Sequence, residues 1–173
     1  NAHTEYVLNT DIDMMPSHDL RKNFNVFIHQ NSSKWRGSRV AFALPSFETN
    51  VTIYDAVSKK MLLDMWSRGV VRPFYSTVCK ACQGHTDYPA WRSLRSSKYL
   101  TVAYFRKWEY LWEPFLITRK DEVPLFNEAF KRYGFNRISQ VRSNPFTKRQ
   151  NSDNPNLKEI AEFADDNKNY NTI

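Results

Sequence analysis

The segment Tyr6-Val7-Leu8-Asn9-Thr10-Asp11-Ile12-Asp13-Met14-Met15-Pro16-Ser17 constrains this chain more than any other. A short apolar, β-leaning run delivers two aspartates one residue apart. Pro16 and Ser17 then stop the strand, and a helical pattern follows. In an extended segment side chains alternate, so Asp11 and Asp13 are expected to point the same way. Carboxylates converging at the C-terminal end of a strand can seat a hard divalent cation, at the sheet edge where open α/β folds bind ligands. Two solvated aspartates in a turn are the competing reading of the same pattern.

Ser17 is expected to cap a helix carrying Leu20, Phe24, Phe27 and Ile28 at helical spacing. Residues 31–39 are polar and basic and predict a loop. Val40, Phe42 and Leu44 alternate with two alanines, giving a strand with small residues on one face, and Pro45 ends it. Ser46 to Asn50 forms a second strand-to-loop junction, holding Glu48 and expected near the first. Asp55 is a candidate cap for a helix with Val57, Met61 and Met65 in one row and Leu62 and Trp66 beside it, closed by Gly69. Val70 to Tyr75 predicts a short strand interrupted by Pro73, hence an edge strand or a bent one. Ser76 to Ser97 is irregular and predicts a long loop, and Leu100 to Phe105 a clear strand. Leu125, Phe126, Ala129, Phe130 and Tyr133 predict a helical face ending at Gly134. Residues 142–173 are rich in Asn, Asp and Lys and predict a loosely ordered tail with one candidate helix, Leu157 to Phe163. Strands alternating with helices place the chain in the α/β class.

Of the 173 residues 41% are hydrophobic and 15% aromatic, enough for one compact domain with a core. No run is long and apolar enough to span a bilayer, and no signal-like start is visible. The first residue is Asn and the chain enters its first strand almost at once, so a piece of a longer protein is expected. The net charge of +7 gathers at Lys34-Arg36-Arg39, Arg92-Arg95-Lys98 and Lys148-Arg149. These clusters are short and interrupted by acids, and no nucleic-acid motif accompanies them. A solvated face or a pocket for an anionic sugar nucleotide explains them better. Cys79 and Cys82 form a lone C-x-x-C, half of a tetrahedral zinc site at most. A thioredoxin-like pair belongs at a helix start, and this pair is expected in a loop. A disulfide, within the pair or to a cysteine elsewhere, stands beside two free thiols as an option. Asn31-Ser32-Ser33 and Asn50-Val51-Thr52 are N-glycosylation sequons. In Trp112-Glu113-Pro114-Phe115 a carboxylate lies among apolar neighbours, either a paired structural acid or one raised for proton transfer.

The D-x-D segment Asn9 to Ser17 resembles that of the family-49 glycosyltransferases. The similarity continues through Ala43-Leu44-Pro45-Ser46-Phe47-Glu48, Val71-Arg72-Pro73-Phe74-Tyr75 and Cys79-Lys80-Ala81-Cys82-Gln83 with Thr86, Tyr88 and Trp91. Trp112-Glu113-Pro114-Phe115, Phe126 to Phe130 and Tyr133 to Gln140 follow in order. The blocks span residues 5–141, so the resemblance implies that 1–141 is the C-terminal part of a GT-A catalytic domain with a Rossmann-like mixed sheet, incomplete at its N-terminus. It further implies a UDP-sugar donor, manganese and inversion at the anomeric carbon. Glucuronic acid is the expected sugar, and a xylose-terminated O-mannosyl-type glycan on a glycoprotein the expected acceptor. The family would be type II membrane proteins facing the Golgi lumen, with the anchor outside this chain. By position, Asp11 and Asp13 would hold the metal and through it the donor diphosphate. The positions where many inverting GT-A enzymes carry the base are Asn136 and Arg137, neither of which can accept the proton. Glu113 is therefore the candidate base, and Arg72 a candidate donor contact. The resemblance also implies strands preceding Tyr6 that bind uridine, and a metal-binding histidine beyond Gln140, whereas the last histidine here is His85. An inactive or truncated paralogue acting as a binding or scaffold protein is the alternative.

Overall fold

The computed structural model describes residues 4–35, 40–53, 57–97, 99–125, 129, 136–143 and, as backbone, 160–164. The strands are β1 Tyr6–Asn9, β2 Phe42–Leu44, β3 Phe47–Thr49, β4 Val71–Pro73, β5 Thr101–Arg106, β6 Phe115–Arg119 and β7 Ile160–Ala164. The helices are α1 Leu20–Gln30, α2 Ser32–Trp35, α3 Lys59–Ser67, α4 Lys80–Gln83, α5 Tyr88–Ser93 and α6 Asn136–Ser143. The result is a mixed α/β fold. A five-stranded sheet runs β1-β6-β2-β7-β5, and β3 and β4 form a separate two-stranded ribbon. In the large sheet β1 and β2 both pair antiparallel with β6, β7 lies parallel to β2, and β5 closes the far edge antiparallel to β7.

Strand β2 shows why the two faces differ. Phe42 enters a core with Leu20, Phe24, Phe27, Trp35, Val40, Leu100 and Ile117, while Ala41 and Ala43 face Trp112, Leu116 and Val141. The large-and-small alternation expected from the sequence is the sheet's own pleat. Phe42 is the hub, with edge-on contacts to Phe24 at 5.4 Å, Phe27 at 5.7 Å and Trp35 at 5.7 Å. Helix α1 supplies the layer above it, burying Leu20, Phe24 and Phe27 at the expected spacing.

Several local expectations change. The residue that opens α1 is Asp19, in a left-handed conformation (φ 58°), two residues after the expected cap; the Ser17 carbonyl accepts from the Leu20 N–H at 3.2 Å. The polar loop after α1 contains one helical turn, α2, held by the burial of Trp35. Ser58 caps α3, accepting from the Met61 N–H at 3.3 Å, and Val57 precedes the helix; the expected cap Asp55 lies outside the described residues. Gly69 closes α3 with φ 72°, the left-handed value expected of it. The long irregular loop contains α4 and α5, so Cys79 stands at a helix start after all.

Strand β6 was hidden in the sequence because its side chains alternate between two buried layers, Ile117 in one and Leu116 in the other, which erases any polar periodicity. The candidate helix Leu157 to Phe163 is not one: Ile160–Ala164 is a strand. Pairing with both β2 and β5 satisfies its backbone on two sides and overrides the helical spacing of Ile160 and Phe163. The helical face expected over Phe126 to Gly134 lies outside the described residues apart from Ala129.

Candidate active site

Strand β1 ends at Asn9, so the two aspartates do not occupy an extended segment. They lie in a turn closed by the Met14 N–H donating to the Asp11 carbonyl at 3.2 Å. The alternation argument for their common direction therefore lapses. Each is directed by its own surroundings. Both are exposed, as is the Ile12 side chain between them. Asp13, with Met14, Met15 and Pro16, lines a cavity of about 570 Å³, within the size range of small-molecule sites. Asp11 instead receives the guanidinium of Arg137 from α6.

Arg137 stacks on the Phe115 ring, with its Cζ 4.2 Å from the ring centroid, and its side chain is only 14% exposed. One turn later on the same helix, Gln140 accepts from Asn9 Nδ2 and donates from Nε2 to the Pro124 carbonyl at 3.0 Å. The end of β1 is thus tied to α6 twice, through Asn9 and through Asp11. The sequence marked this helix only as part of a similarity block. A cation at a position where a base was sought was the overlooked signal.

Glu113 joins this group from the other side. Buried Trp112 precedes it, with no accessible surface and its indole N–H donating to Thr86 Oγ1 at 3.1 Å. Leu111 has φ 76°, a strained value for a branched side chain, at the bend that sends Trp112 inward. The Glu113 backbone is clamped by the cysteine segment: its N–H donates to the Cys82 carbonyl at 2.8 Å, and its carbonyl accepts from Gln83 Nε2 at 2.7 Å. The cysteines themselves form a disulfide with S–S 2.04 Å, which selects one of the options open in the sequence. The carboxyl of Glu113 is raised above the usual glutamate value. Burial is the largest cause, the positive charge of Arg137 opposes it, and the negative charge of Asp11 adds to it. Asp11, Arg137 and Glu113 therefore share one electrostatic neighbourhood.

Arg72 lies elsewhere. Its Nε donates to Glu48 Oε1 at 2.5 Å, and the Tyr75 N–H donates to Glu48 Oε2 at 3.3 Å. Arg72 is not among the cavity-lining residues, but Glu48 is, so the second acidic junction does open on the same cavity as Asp13. Phe47, Trp91 and Phe115 give that cavity an aromatic wall, and Lys59 also borders it while donating to the Trp91 carbonyl at 2.6 Å.

For a divalent metal, the turn offers two hard carboxylate ligands. Among the described residues no group of three His, Cys, Asp or Glu side chains converges, and His85 pairs with Glu109 at 3.3 Å. Two carboxylates fit a cation that takes its remaining ligands from phosphate and water, as nucleotide-bound magnesium-type ions do. They do not make a closed structural site.

A family described as "Glycosyl-transferase for dystroglycan" matches residues 1–143. The chain is 39% identical to the β-1,4-glucuronyltransferase 1 of Bos taurus over 136 residues, covering 79% of this chain and 32% of that protein. The same-named protein of Danio rerio is 39% identical over 138 residues, again 79% of this chain and 31% of its own length. The xylosyl- and glucuronyltransferase LARGE2s of Gallus gallus is 31% identical over 142 residues, 82% of this chain and 18% of the relative. The chain thus spans about a third of the length of the glucuronyltransferases it matches. The family match includes the acidic turn, the cysteine segment, Glu113 and α6, and the chain belongs to the family-49 glycosyltransferases.

Proposed function

We propose that this chain carries the metal-binding and proton-accepting part of a GT-A-type, inverting glycosyltransferase that moves glucuronic acid from UDP-glucuronate to a glycan acceptor, with a xylose-terminated O-mannosyl-type glycan as the acceptor. The observation that carries the reading is the acidic turn, with Asp13 lining a cavity of about 570 Å³ and Asp11 sharing an electrostatic neighbourhood with the half-buried Glu113. Asp11 and Asp13 would hold manganese, which when bound supplies charge neutralisation to the departing diphosphate. Inversion needs one in-line displacement and a base on the acceptor side. Glu113 suits that role because its raised carboxyl takes a hydroxyl proton more readily than a solvated glutamate, and the Cys82 and Gln83 hydrogen bonds fix its backbone. Trp91, Phe47 and Phe115 make the cavity wall apolar, as in most small-molecule sites. Arg72, held by Glu48, would act by orienting that carboxylate rather than by gripping the donor. The reading puts the protein in the Golgi lumen as a type II membrane protein, and the Cys79–Cys82 disulfide supports an oxidising compartment. No helix among the described residues is long and apolar enough to cross a membrane.

A second reading, a binding or scaffold protein without turnover, is favoured by the engagement of Asp11 with Arg137 and by the lack of a third ligand among the described residues. Transfer from labelled UDP-glucuronate by the full-length protein, with and without manganese, separates the two. Asp13→Asn is expected to reduce manganese-dependent transfer by at least about tenfold to a hundredfold, the cost of losing even a group that only supports a metal ligand. Undiminished transfer by that variant removes Asp13 from the metal site.

A further inference from the structure

The residue left without a task in this chemistry is Arg137. Its guanidinium is permanently charged, largely shielded from water, stacked on Phe115 and paired with one of the two turn carboxylates. Phe115 itself lines the cavity. Helix α6 cannot drift away from the turn, because Gln140 ties it to Asn9 and to Pro124. The side chain pairs with Asp11 and stacks on the Phe115 ring, contacts that a guanidinium can keep or exchange by rotation about its own bonds.

We propose that Arg137 is a hand-over cation: it holds the Asp11 carboxylate until a divalent ion arrives, and then pairs with an anionic oxygen of the donor. The inference rests on the reading of the acidic turn as a metal site. Without a cation, Asp11 and Glu113 are neighbouring negative charges, and Arg137 supplies the balance. An incoming dication competes with the guanidinium for Asp11 and repels it at short range. The guanidinium then needs a new anion within reach of Phe115. A sugar nucleotide brings two candidates of the same chemistry, diphosphate oxygens and the uronate carboxylate, and the forked guanidinium matches either. Arg137 is thus a positioning residue before the donor binds and a donor contact afterwards.

These roles pull two affinities in opposite directions, which no purely structural residue would do. In the full-length protein, manganese binding is followed by the loss of the free-ion paramagnetic resonance signal, and binding of pyrophosphate, UDP-glucose and UDP-glucuronate by calorimetry at saturating manganese. Arg137→Met is expected to bind manganese alone roughly fivefold more tightly, the scale of one partly exposed ion pair. The same variant is expected to bind manganese-pyrophosphate roughly tenfold more weakly, the scale of a lost charge-assisted contact. If the weakening appears with UDP-glucuronate and is missing with pyrophosphate and UDP-glucose, the hand-over goes to the sugar carboxylate. Arg137→Lys, which keeps the charge and loses the fork, is expected between wild type and Arg137→Met in both, and decides the matter if Arg137→Met fails a thermal-melt check of folding. Affinities that fall together, or do not move, overturn the hand-over. A wild-type manganese affinity untouched by Asp13→Asn overturns the metal reading itself, and the hand-over with it; a normal Asp13-dependent site with an unchanged Arg137→Met overturns the hand-over alone.

Discussion

At the residue scale, Glu113 is a half-buried carboxyl beside the charges of Arg137 and Asp11. Because burial raises its carboxyl above the ordinary glutamate value, the folded protein binds its proton more tightly than the unfolded chain does. Stability is therefore lost as pH rises from the unfolded to the folded value of this group, and Glu113→Gln should flatten that part of a denaturation-versus-pH curve. In transfer assays a base must be deprotonated, so the acidic limb of the wild-type kcat profile should sit above the pH of a solvated glutamate. Glu113→Gln should lower kcat by about a hundredfold or more while donor binding stays near wild type. Equal kcat in the two proteins would remove Glu113 from the proton path. The two sequons also separate at this scale. Asn31 spends its amide on the Phe27 carbonyl at 2.9 Å as the end of α1, whereas Asn50 is exposed at the end of β3. Secreted expression should give one N-glycan, removable by amidase and lost in Asn50→Gln but kept in Asn31→Gln.

At the element scale, the cysteine segment and β6 act together. The C-x-x-C pair was legible as a disulfide candidate, but nothing in its spacing says that the Cys82 carbonyl and the Gln83 side chain grip the Glu113 backbone some thirty positions on. Gln83 is 4% exposed, so its truncation leaves the Glu113 carbonyl without this donor in a dry place. Gln83→Ala should cost about 1–3 kcal/mol in chemical denaturation and reduce kcat more than donor affinity. A loss confined to stability would make the clamp a packing feature only. Helix α6 makes the same point. Its sequence, with Arg137 and Gln140 three apart, places both on one side of a helix once the helix is granted. That this side meets the end of β1, well over a hundred positions earlier, is a property of the sheet order alone.

At the scale of the whole molecule, β7 holds the large sheet together by filling the gap between β2 and β5. A chain cut after Ser143 would expose two unpaired strand edges, which are templates for association. Such a truncation should unfold at lower denaturant, with a broader transition by circular dichroism, and should aggregate at concentrations where the longer chain stays monodisperse. A sharp transition at the original midpoint would show that the sheet closes without β7. The rest of the architecture tolerates this reading because the Phe42 core and the Trp112 core lie on opposite faces of the same sheet, and neither depends on the acidic turn.

What the sequence determined by itself is local and periodic. Helix α1, strands β2, β4 and β5, and the glycine after α3 all follow from spacing, punctuation and backbone preference. The family was legible too, because its blocks keep their order. Tertiary structure decided everything that needs a partner: that β6 is a strand, that Ile160–Ala164 pairs instead of coiling, that Arg72 serves Glu48, and that Arg137 meets Asp11. The physical reason is that a backbone preference acts over a few residues, whereas burial on two faces and an ion pair across the fold exist only after the chain has closed on itself.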